Sequence, residues 1–424
     1  MSTRRRVLLD VTPVTESREY RLLYLGQVVS FFGRQLTIVA ASIQIFGLTH
    51  SSLQVGLLSL GQLGPLIACS FLGGTLADAI DRRKVLLAAN VLLAATSVGL
   101  ALNAGRSHPL VWPIYVFTAL SAGFSAIDSP TRSAVVPSLV RRDQIPAAAA
   151  LNQTGYQFGQ IAGPAAAGPI IDVSIVAAYW VDVGTFGVAL ITLLLLPPLL
   201  PEGGGTKAGI GSIKEGLRYV REERTLQGVF LIDINAMVFG MPRALFPQLG
   251  TELFHGGAGT VGLLYAAPAA GAFAGALTTG WVTHVRRQGA AVLWAVAVWG
   301  IAIAAFGFAH WLPLALLCLA IAGAADVISA VFRGTILQLH VPDRLRGRLQ
   351  ALNIAVVTGG PRVGDLEAGV VATATSAQVS VVSGGLACVA GVLVFAKYFP
   401  ELASWHAEPE ADPEGQTDTV DRPT

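Results

Sequence analysis

The 424-residue chain is poor in charged residues, which make up only 13% of it. A soluble domain carries about 25% charged residues, so this chain lacks the side chains that would cover a water-facing surface. Apolar residues make up 53% of the sequence. A bilayer is the solvent that tolerates an apolar exterior, and we therefore expect lipid around much of the folded chain.

Cysteine and enzyme motifs are scarce as well. The three cysteines, Cys69, Cys318 and Cys388, lie far apart in apolar stretches and predict buried thiols rather than disulfides or a metal site. The sequence has no GxxxxGK[ST] loop, no HExxH and no histidines at metal-binding spacing. Net charge is only +2, which gives no indication of a nucleic-acid partner. We expect no enzyme activity and no cofactor.

What the sequence does contain is a series of long apolar stretches. A bilayer core about 30 Å thick needs about 20 apolar residues in helical form. Twelve stretches meet or approach this length, at 22–48, 52–77, 84–104, 109–139, 145–171, 175–197, 226–250, 258–283, 288–309, 311–340, 347–373 and 377–398. The pattern predicts an all-α polytopic membrane protein with twelve transmembrane helices.

Basic residues are distributed unevenly between alternate loops. If the N-terminus is cytoplasmic, the external loops receive little beyond Arg106. The cytoplasmic side then receives Arg4, Arg5, Arg6, Arg18, Arg21, Arg82, Arg83, Lys84, Arg141, Arg142, Lys207, Lys214, Arg218, Arg221, Arg224, Arg286, Arg287, Arg344, Arg346 and Arg348. Because cytoplasmic loops are enriched in Lys and Arg, we predict a multi-pass plasma membrane protein with both termini in the cytoplasm.

An internal repeat appears when the chain is shifted by 201 residues. Arg132 then falls on Arg333, and Asn152 falls on Asn353. Six glycines, Gly56, Gly61, Gly74, Gly159, Gly163 and Gly168, fall on Gly257, Gly262, Gly275, Gly360, Gly364 and Gly369. Two halves with an even number of helices are parallel, so we expect a site between the halves near the membrane midplane.

The repeat also divides the chain. We predict a cytoplasmic N-terminal segment (1–21), two six-helix bundles (22–198 and 226–398), a cytoplasmic linker (199–225) and an acidic, disordered cytoplasmic tail (399–424). The basic run that ends the linker predicts an amphipathic helix on the membrane surface.

The loop after the second predicted helix has the sequence GTLADAIDRRK over residues 74–84. It resembles the signature loop of the major facilitator superfamily, in which an acidic residue at a helix end pairs with basic residues and helix dipoles. The resemblance implies a cytoplasmic gating motif composed of Gly74, Asp78, Arg82 and Arg83. Asp81 stands where the family has a second glycine, which makes the tightness of the turn an open point. The alternative is a basic loop that only sets topology.

The fifth predicted helix carries GQIAGPAAAGP over residues 159–169. Gly159, Gly163 and Gly168 leave one helix face nearly bare for a neighbouring helix, and Pro164 lacks a backbone N–H and bends the helix. The segment resembles a motif in the fifth helix of superfamily exporters, which favours efflux over uptake. Ordinary packing of small residues is the alternative.

Residues 323–348, 245–247 and 263–267 resemble the enterobactin-exporter-like subfamily of the major facilitator superfamily, whose members are transmembrane secretion effectors. The resemblance covers about residues 20–398 and implies two pseudo-symmetric six-helix bundles, acting as a monomer in the bilayer. It also implies export of a small molecule, and a catecholate siderophore is the expected substrate because members of the subfamily handle such compounds. Acids inside the predicted spans and the missing ATP-binding loop predict that export is driven by protons. The alternatives are a broad drug or macrolide efflux pump, a nutrient importer and a non-transporting membrane protein.

Several ionisable residues fall inside the predicted spans, where a charge costs about 2.5–3.5 kcal/mol on insertion scales. Such residues face a polar cavity or pair with one another. We predict an electropositive substrate cavity formed by Arg34, Arg132, Arg243, Arg333 and Arg362. We predict proton uptake and release by Asp128, Asp233, Asp365 and Glu367. Asp182 and Asp326 are expected near helix ends. The alternative is that these charges only join helices.

Overall fold

The computed structural model describes residues 10–200 and 217–406. Within these ranges the chain is helical, without strands, which confirms the all-α prediction. The twelve long helices are α1 Arg18–Thr49, α2 Ser52–Gly61 with Leu63–Ala79, α3 Arg82–Ala104, α4 Val111–Leu139, α5 Ile145–Val173, α6 Ile175–Leu194, α7 Arg224–Phe239, α8 Ala258–Leu277, α9 Gln288–Phe308, α10 Leu312–His340, α11 Asp343–Ala374 and α12 Ala377–Tyr398.

Most of these helices have the length and composition of membrane spans. In the described ranges, ten helical segments are long and apolar enough to cross a membrane. The two other long helices are α5 and α11, with 29 and 32 residues. Both exceed the length that a bilayer requires, and both pack against helices of each half of the protein. Their polar and small residues suit this interior position.

The two halves repeat the same helix contacts. In the first half α1 packs against α5 and α6, α2 against α4, and α3 against α4 and α6. In the second half the corresponding helices pair in the same way: α7 with α11 and α12, α8 with α10, and α9 with α10 and α12. This correspondence confirms the predicted pair of pseudo-symmetric six-helix bundles.

Two helix pairs join the halves, α5 with α8 and α2 with α11. Gly168 of α5 lies against Gly259, and the Pro164 carbonyl lies against Gly262. In the other pair, Gly56 of α2 lies against the Asp365 carbonyl. Pro164 and Asp365 are 201 residues apart and occupy equivalent positions of the two halves. The glycines that pack against them, Gly262 and Gly56, are therefore equivalent to each other, although they are 206 residues apart. The predicted offset of 201 residues between equivalent glycines is therefore wrong for α2 and α8, because the packing contacts pair these two helices at an offset of 206.

Prolines account for two departures from the predicted spans. Helix α2 is interrupted at Gln62, because Pro65 lacks the N–H that would bond to the Gly61 carbonyl. The predicted span 226–250 is not one helix: α7 ends at Phe239 and the chain continues through Pro242 as short 3-10, α and π turns. By contrast, α4 remains helical through Pro130 and Pro137.

The loops alternate between two ends of the bundle. We name as the basic end the one that holds the chain termini and the loops after α2, α4, α6, α8 and α10. The far end holds the loops after α1, α3, α5, α7, α9 and α11. At the basic end, residues 217–222 are helical, and the glycine-rich residues 203–205 lie outside the described ranges.

A short helix before α1 and another after α12 each contact their own half. Before α1, helix Thr12–Glu16 buries Pro13, and its Glu16 carboxylate lies 3.0 Å from the Arg141 guanidinium. After α12, helix Pro400–Ser404 buries Leu402 completely against α7 and α9. The prediction of disorder from residue 399 is therefore wrong for residues 399–406, because Leu402 supplies an apolar anchor; residues 407–424 lie outside the described ranges.

Candidate functional site

Five helices of the first half, α1, α3, α4, α5 and α6, enclose a cavity of about 130 Å³. Its polar and charged lining residues are Gln27, Ser30, Arg34, Asn90, Asp128, Ser129, Arg132, Ser133, Asn152 and Tyr156. The repeat predicted a site between the halves, whereas this cavity lies within the first half. Tyr156 nevertheless interacts electrostatically with both Arg34 and Arg362 of α11, so the cavity lies near the second half.

Arg132 belongs to a buried three-residue network at this cavity. Its Nε lies 2.7 Å from the Asp128 carboxylate, one helical turn earlier on α4. Asn90 of α3 donates to Asp128 at 2.8 Å, and Arg132 Nη2 donates to the Asn90 carbonyl oxygen at 3.3 Å. Arg132 is only 4% exposed, yet its Nη1 has no hydrogen-bond partner in the described ranges.

Arg34 stands beside an aromatic pair on the same cavity wall. Its Nη1 donates to Ser125 Oγ at 2.8 Å, and its guanidinium lies 4.9 Å from the Phe31 ring centroid. Phe31 in turn stacks on Tyr156, with 4.6 Å between ring centroids. Arg34 therefore presents its charge next to aromatic faces, an arrangement that stabilises a guanidinium away from water.

The repeat-related Arg333 of the second half has a different environment. Its Nη1 lies 2.7 Å from Asp233 of α7, and its Nη2 lies 3.8 Å from Asp326. It also donates to Ser329 at 3.1 Å. Two carboxylates therefore share one guanidinium. The Asp326 side chain is 31% exposed, while that of Asp233 is 2% exposed.

Two of the five predicted cavity arginines, Arg34 and Arg132, line the cavity. Arg243, Arg333 and Arg362 do not, because they belong to the second half. Arg333 is held by its two acids, and Arg243 and Arg362 interact electrostatically with Asp365. A substrate cavity shared by all five arginines stays a prediction.

The predicted proton-coupling acids are also separated. Asp128 pairs with Arg132, and Asp233 pairs with Arg333. Asp365 accepts a hydrogen bond from the Ala244 N–H at 3.0 Å and another from Ser59. Glu367 is partly buried and makes no hydrogen bond or ion pair with any residue in the described ranges.

Two buried acids were expected near helix ends, and the structure corrects both placements. Asp182 lies within α6, is almost fully buried, and accepts hydrogen bonds from Thr37, Ser97 and Thr185. Asp326 lies midway along α10. Hydroxyl residues in otherwise apolar spans were the sequence signal for the Asp182 cluster, since a buried carboxylate needs donors.

Three hydrogen bonds join the halves at the far end. Ser59 Oγ of α2 donates to Asp365 of α11 at 2.5 Å. The Ala258 N–H at the start of α8 donates to Asp172 of α5 at 3.0 Å. Ser52 donates to Gln248 at 2.7 Å. We name these three the far-end bonds; Ser59, Ser52 and Asp172 had no motif that predicted this role.

Both basic residues of the predicted gating motif contact helix ends. Arg82 donates to the Ala134 carbonyl near the end of α4 at 2.9 Å. Arg83 donates to the Leu193 and Leu194 carbonyls at the end of α6, at 3.0 and 2.7 Å. Cations are favoured at helix C-termini, so both residues bind where the helix dipole attracts them. The structure does not describe the surroundings of Gly74 or the side chain of Asp78.

Asp81 fastens the same loop to the chain that follows α6. Its carboxylate accepts from the Arg83 N–H and from the Leu199 N–H, each at 2.9 Å. The Arg82 N–H donates back to the Leu199 carbonyl at 3.0 Å. The turn therefore does not require the glycine that is usual here, and Asp81 caps α3 instead.

We expect Asp81→Ala to destabilise the protein by about 0.5–2 kcal/mol, as for other lost N-caps. Asp81→Asn keeps a side-chain acceptor and should retain most of that stability. Thermal unfolding of the purified protein in detergent measures both. Equal melting temperatures for Asp81→Ala and the parent protein would contradict this assignment.

The glycines of α5 face two different helices. Gly159 lies against Phe31, and Gly163 lies against Gln35 of α1. Gly168 instead meets α8 of the other half. The helix is continuous through Pro164 and Pro169. The role of this segment in export remains a prediction.

Comparison with known proteins places these features in a family context. A family described as transmembrane secretion effector matches residues 11–420. The enterobactin exporter EntS of Citrobacter koseri is 30% identical over 390 residues, covering 91% of this chain and 93% of that protein. The enterobactin exporter EntS of Shigella boydii is 30% identical over 359 residues, covering 84% and 86%.

Solved structures share the fold at lower identity. A bacterial homologue of the human lysosomal transporter Spinster, inward-facing and unoccupied, has a TM-score of 0.73 at 15% identity, covering 92% of this chain and 98% of its own. A D-xylose-proton symporter has a TM-score of 0.66 at 15% identity, covering 92% and 99%. At these identities the likeness concerns the fold alone.

Proposed function

Because the chain belongs to the transmembrane secretion effector family of the major facilitator superfamily, we propose that it exports a siderophore across the plasma membrane in exchange for protons. It is a multi-pass membrane transporter and not an enzyme. The relatives named as enterobactin exporters support a siderophore as the substrate. The observation that carries the proposal is the cavity of the first half, which is lined by two guanidinium groups and by aromatic rings, with one guanidinium, that of Arg34, over the Phe31 ring.

Alternating access is the mechanism that this architecture supports. The far-end bonds join α2 to α11 and α5 to α8, and they close the far end in this conformation. Rocking of the halves would break these bonds and open the far end to the outside. The basic loops support a cytoplasmic location for the opposite end and for both termini.

The acids around Arg333 are the candidates for proton coupling. Asp233 and Asp326 share the Arg333 guanidinium, so these three side chains carry one negative charge in excess when both acids are ionised; Arg243 is a further cation that interacts electrostatically with Asp326. A buried excess charge is costly, and a bound proton removes that cost. Asp326 is partly exposed and would exchange the proton with water, while Asp233 would hold it beneath the surface. Asp128 lacks this excess, since Arg132 neutralises it.

The test uses inverted membrane vesicles, whose interior corresponds to the outside of the cell. An acidic interior should drive uptake of a catecholate siderophore, and a protonophore should abolish that uptake. Vesicles without the protein provide the baseline. Uptake that continues with the protonophore and depends on ATP would reject proton exchange, and a cationic macrolide that is transported in preference to the siderophore would reject the substrate.

A further inference from the structure

The two arginines related by the internal repeat differ in how completely they are bonded. Arg333 contacts two carboxylates and a serine hydroxyl. Arg132 contacts one carboxylate and one amide oxygen, and its Nη1 has no partner in the described ranges. A guanidinium supplies five N–H donors, and burying one without a partner is unfavourable. Arg132 therefore offers a donor for which no residue in the described part of the chain supplies an acceptor.

The charged side chains around Arg132 and Arg333 also differ. Arg34 and Arg132 line the cavity with a single carboxylate, Asp128, which leaves one positive charge in excess. Asp182 interacts electrostatically with Arg34 but is not a lining residue, and three hydroxyl groups bond it. Around Arg333 two carboxylates face one guanidinium, and Arg243 is a further cation that interacts electrostatically with Asp326. Because Arg333 already meets two carboxylates of the protein, an added anion is favoured at Arg132 rather than at Arg333.

The remaining walls limit what kind of anion fits. Phe31 and Tyr156 supply stacked rings, and Tyr156 keeps 44% of its surface exposed. Leu93, Val136 and Phe186 complete the apolar lining. A cavity of about 150 Å³ holds one benzene molecule, so the cavity of about 130 Å³ is close in size to one aromatic ring of a larger ligand.

We propose that this cavity is a subsite for a single aromatic ring bearing an anionic oxygen, with Arg132 Nη1 as the donor that recognises the anion. The inference rests on the proposed function for its place in transport. Arg34 adds charge, and Phe31 and Tyr156 contact the ring. A larger ligand inserts one ring here while the rest occupies the space towards α11.

Benzoate is the probe, because it combines one ring with one carboxylate. We expect the full-length protein in lipid nanodiscs to bind benzoate with a Kd of about 1 mM, given its few atoms. Benzamide has the same shape without the charge and should bind at least about tenfold more weakly, as should the non-aromatic cyclohexanecarboxylate. Saturation-transfer difference NMR measures all three, with empty nanodiscs as the blank for lipid partitioning.

Two lysine variants form a matched pair of controls. Arg132→Lys keeps a cation for Asp128 but loses the planar fork, and should weaken benzoate binding by at least about tenfold. Arg141→Lys makes the same change at an exposed position of the basic end and should leave benzoate binding within about twofold. If Arg132→Lys fails to fold, Arg34→Gln provides the second variant, because the Arg132–Asp128 pair remains; it should weaken benzoate but not benzamide.

The proposal is overturned if benzamide binds as well as benzoate, if Arg132→Lys and Arg34→Gln both bind benzoate like the parent protein, or if no signal exceeds that of empty nanodiscs. Siderophore uptake in vesicles separates this result from the proposed function. Uptake without benzoate binding rejects the subsite alone. Arg132-dependent benzoate binding without siderophore uptake supports the subsite and rejects siderophore export.

Discussion

Asp233→Asn should abolish siderophore uptake driven by a proton gradient, lowering its initial rate at least about tenfold, while leaving siderophore exchange at equal pH largely intact. In the parent protein Asp233 and Asp326 share Arg333, and the pair can bind one proton. With asparagine at 233, Arg333 is neutralised by Asp326 alone and the proton has no site. Exchange requires no net proton movement and should therefore persist.

The matched control is Asp143→Asn, which removes the same charge from an exposed ion pair with Arg141 at the basic end. It should keep proton-driven uptake close to that of the parent protein, since surface pairs contribute little. Loss of both uptake and exchange in Asp233→Asn would indicate a structural defect rather than uncoupling. Undiminished proton-driven uptake would remove Asp233 from the coupling mechanism.

Gly168→Val should block the transport cycle and hold the far end open. A side chain at Gly168 would collide with the backbone of Gly259, and backbone cannot yield as a flexible side chain does. The halves must then separate where α5 meets α8, and the far-end bonds would be lost. We expect siderophore uptake to fall at least about tenfold.

Distances between spin labels test the conformational part of this prediction. In a cysteine-free background, labels at Leu110 and Trp311 report on the far ends of the two halves. Both residues are exposed and lie beside far-end loops. Gly168→Val should shift the distance distribution to longer values. Gly187→Val is the matched control, because a side chain at Gly187 meets nothing within 4 Å. An unchanged distribution and wild-type uptake for Gly168→Val would contradict the prediction.

The fold followed from the sequence because it depends on properties that are averaged over many residues. Long apolar stretches and a repeat of 201 residues were sufficient to predict twelve helices in two similar halves. The Asp128–Arg132 pair was also predictable, since residues four apart share one helix face. Local spacing carries that information.

Contacts between distant helices were not predictable in this way. Ser59 and Asp365 are separated by 306 positions, and no periodicity connects them. Arg333 was assigned to a cavity by its charge, but whether a buried guanidinium meets ligand or carboxylate depends on the rotation of α7 and α10 about their axes. The offset of 206 residues between α2 and α8 likewise depends on where along the helix each glycine packs against the backbone of the other half, and the sequence does not contain that position.

The short helices before α1 and after α12 offer a way to observe the relative motion of the two halves. Glu16 ties the first helix to Arg141 in one half, and Leu402 seats the last helix in the other. Each of these two short helices therefore packs against a different half. A donor fluorophore fused before residue 10 and an acceptor fused after residue 406 would report the rocking of the halves without any label inside the membrane.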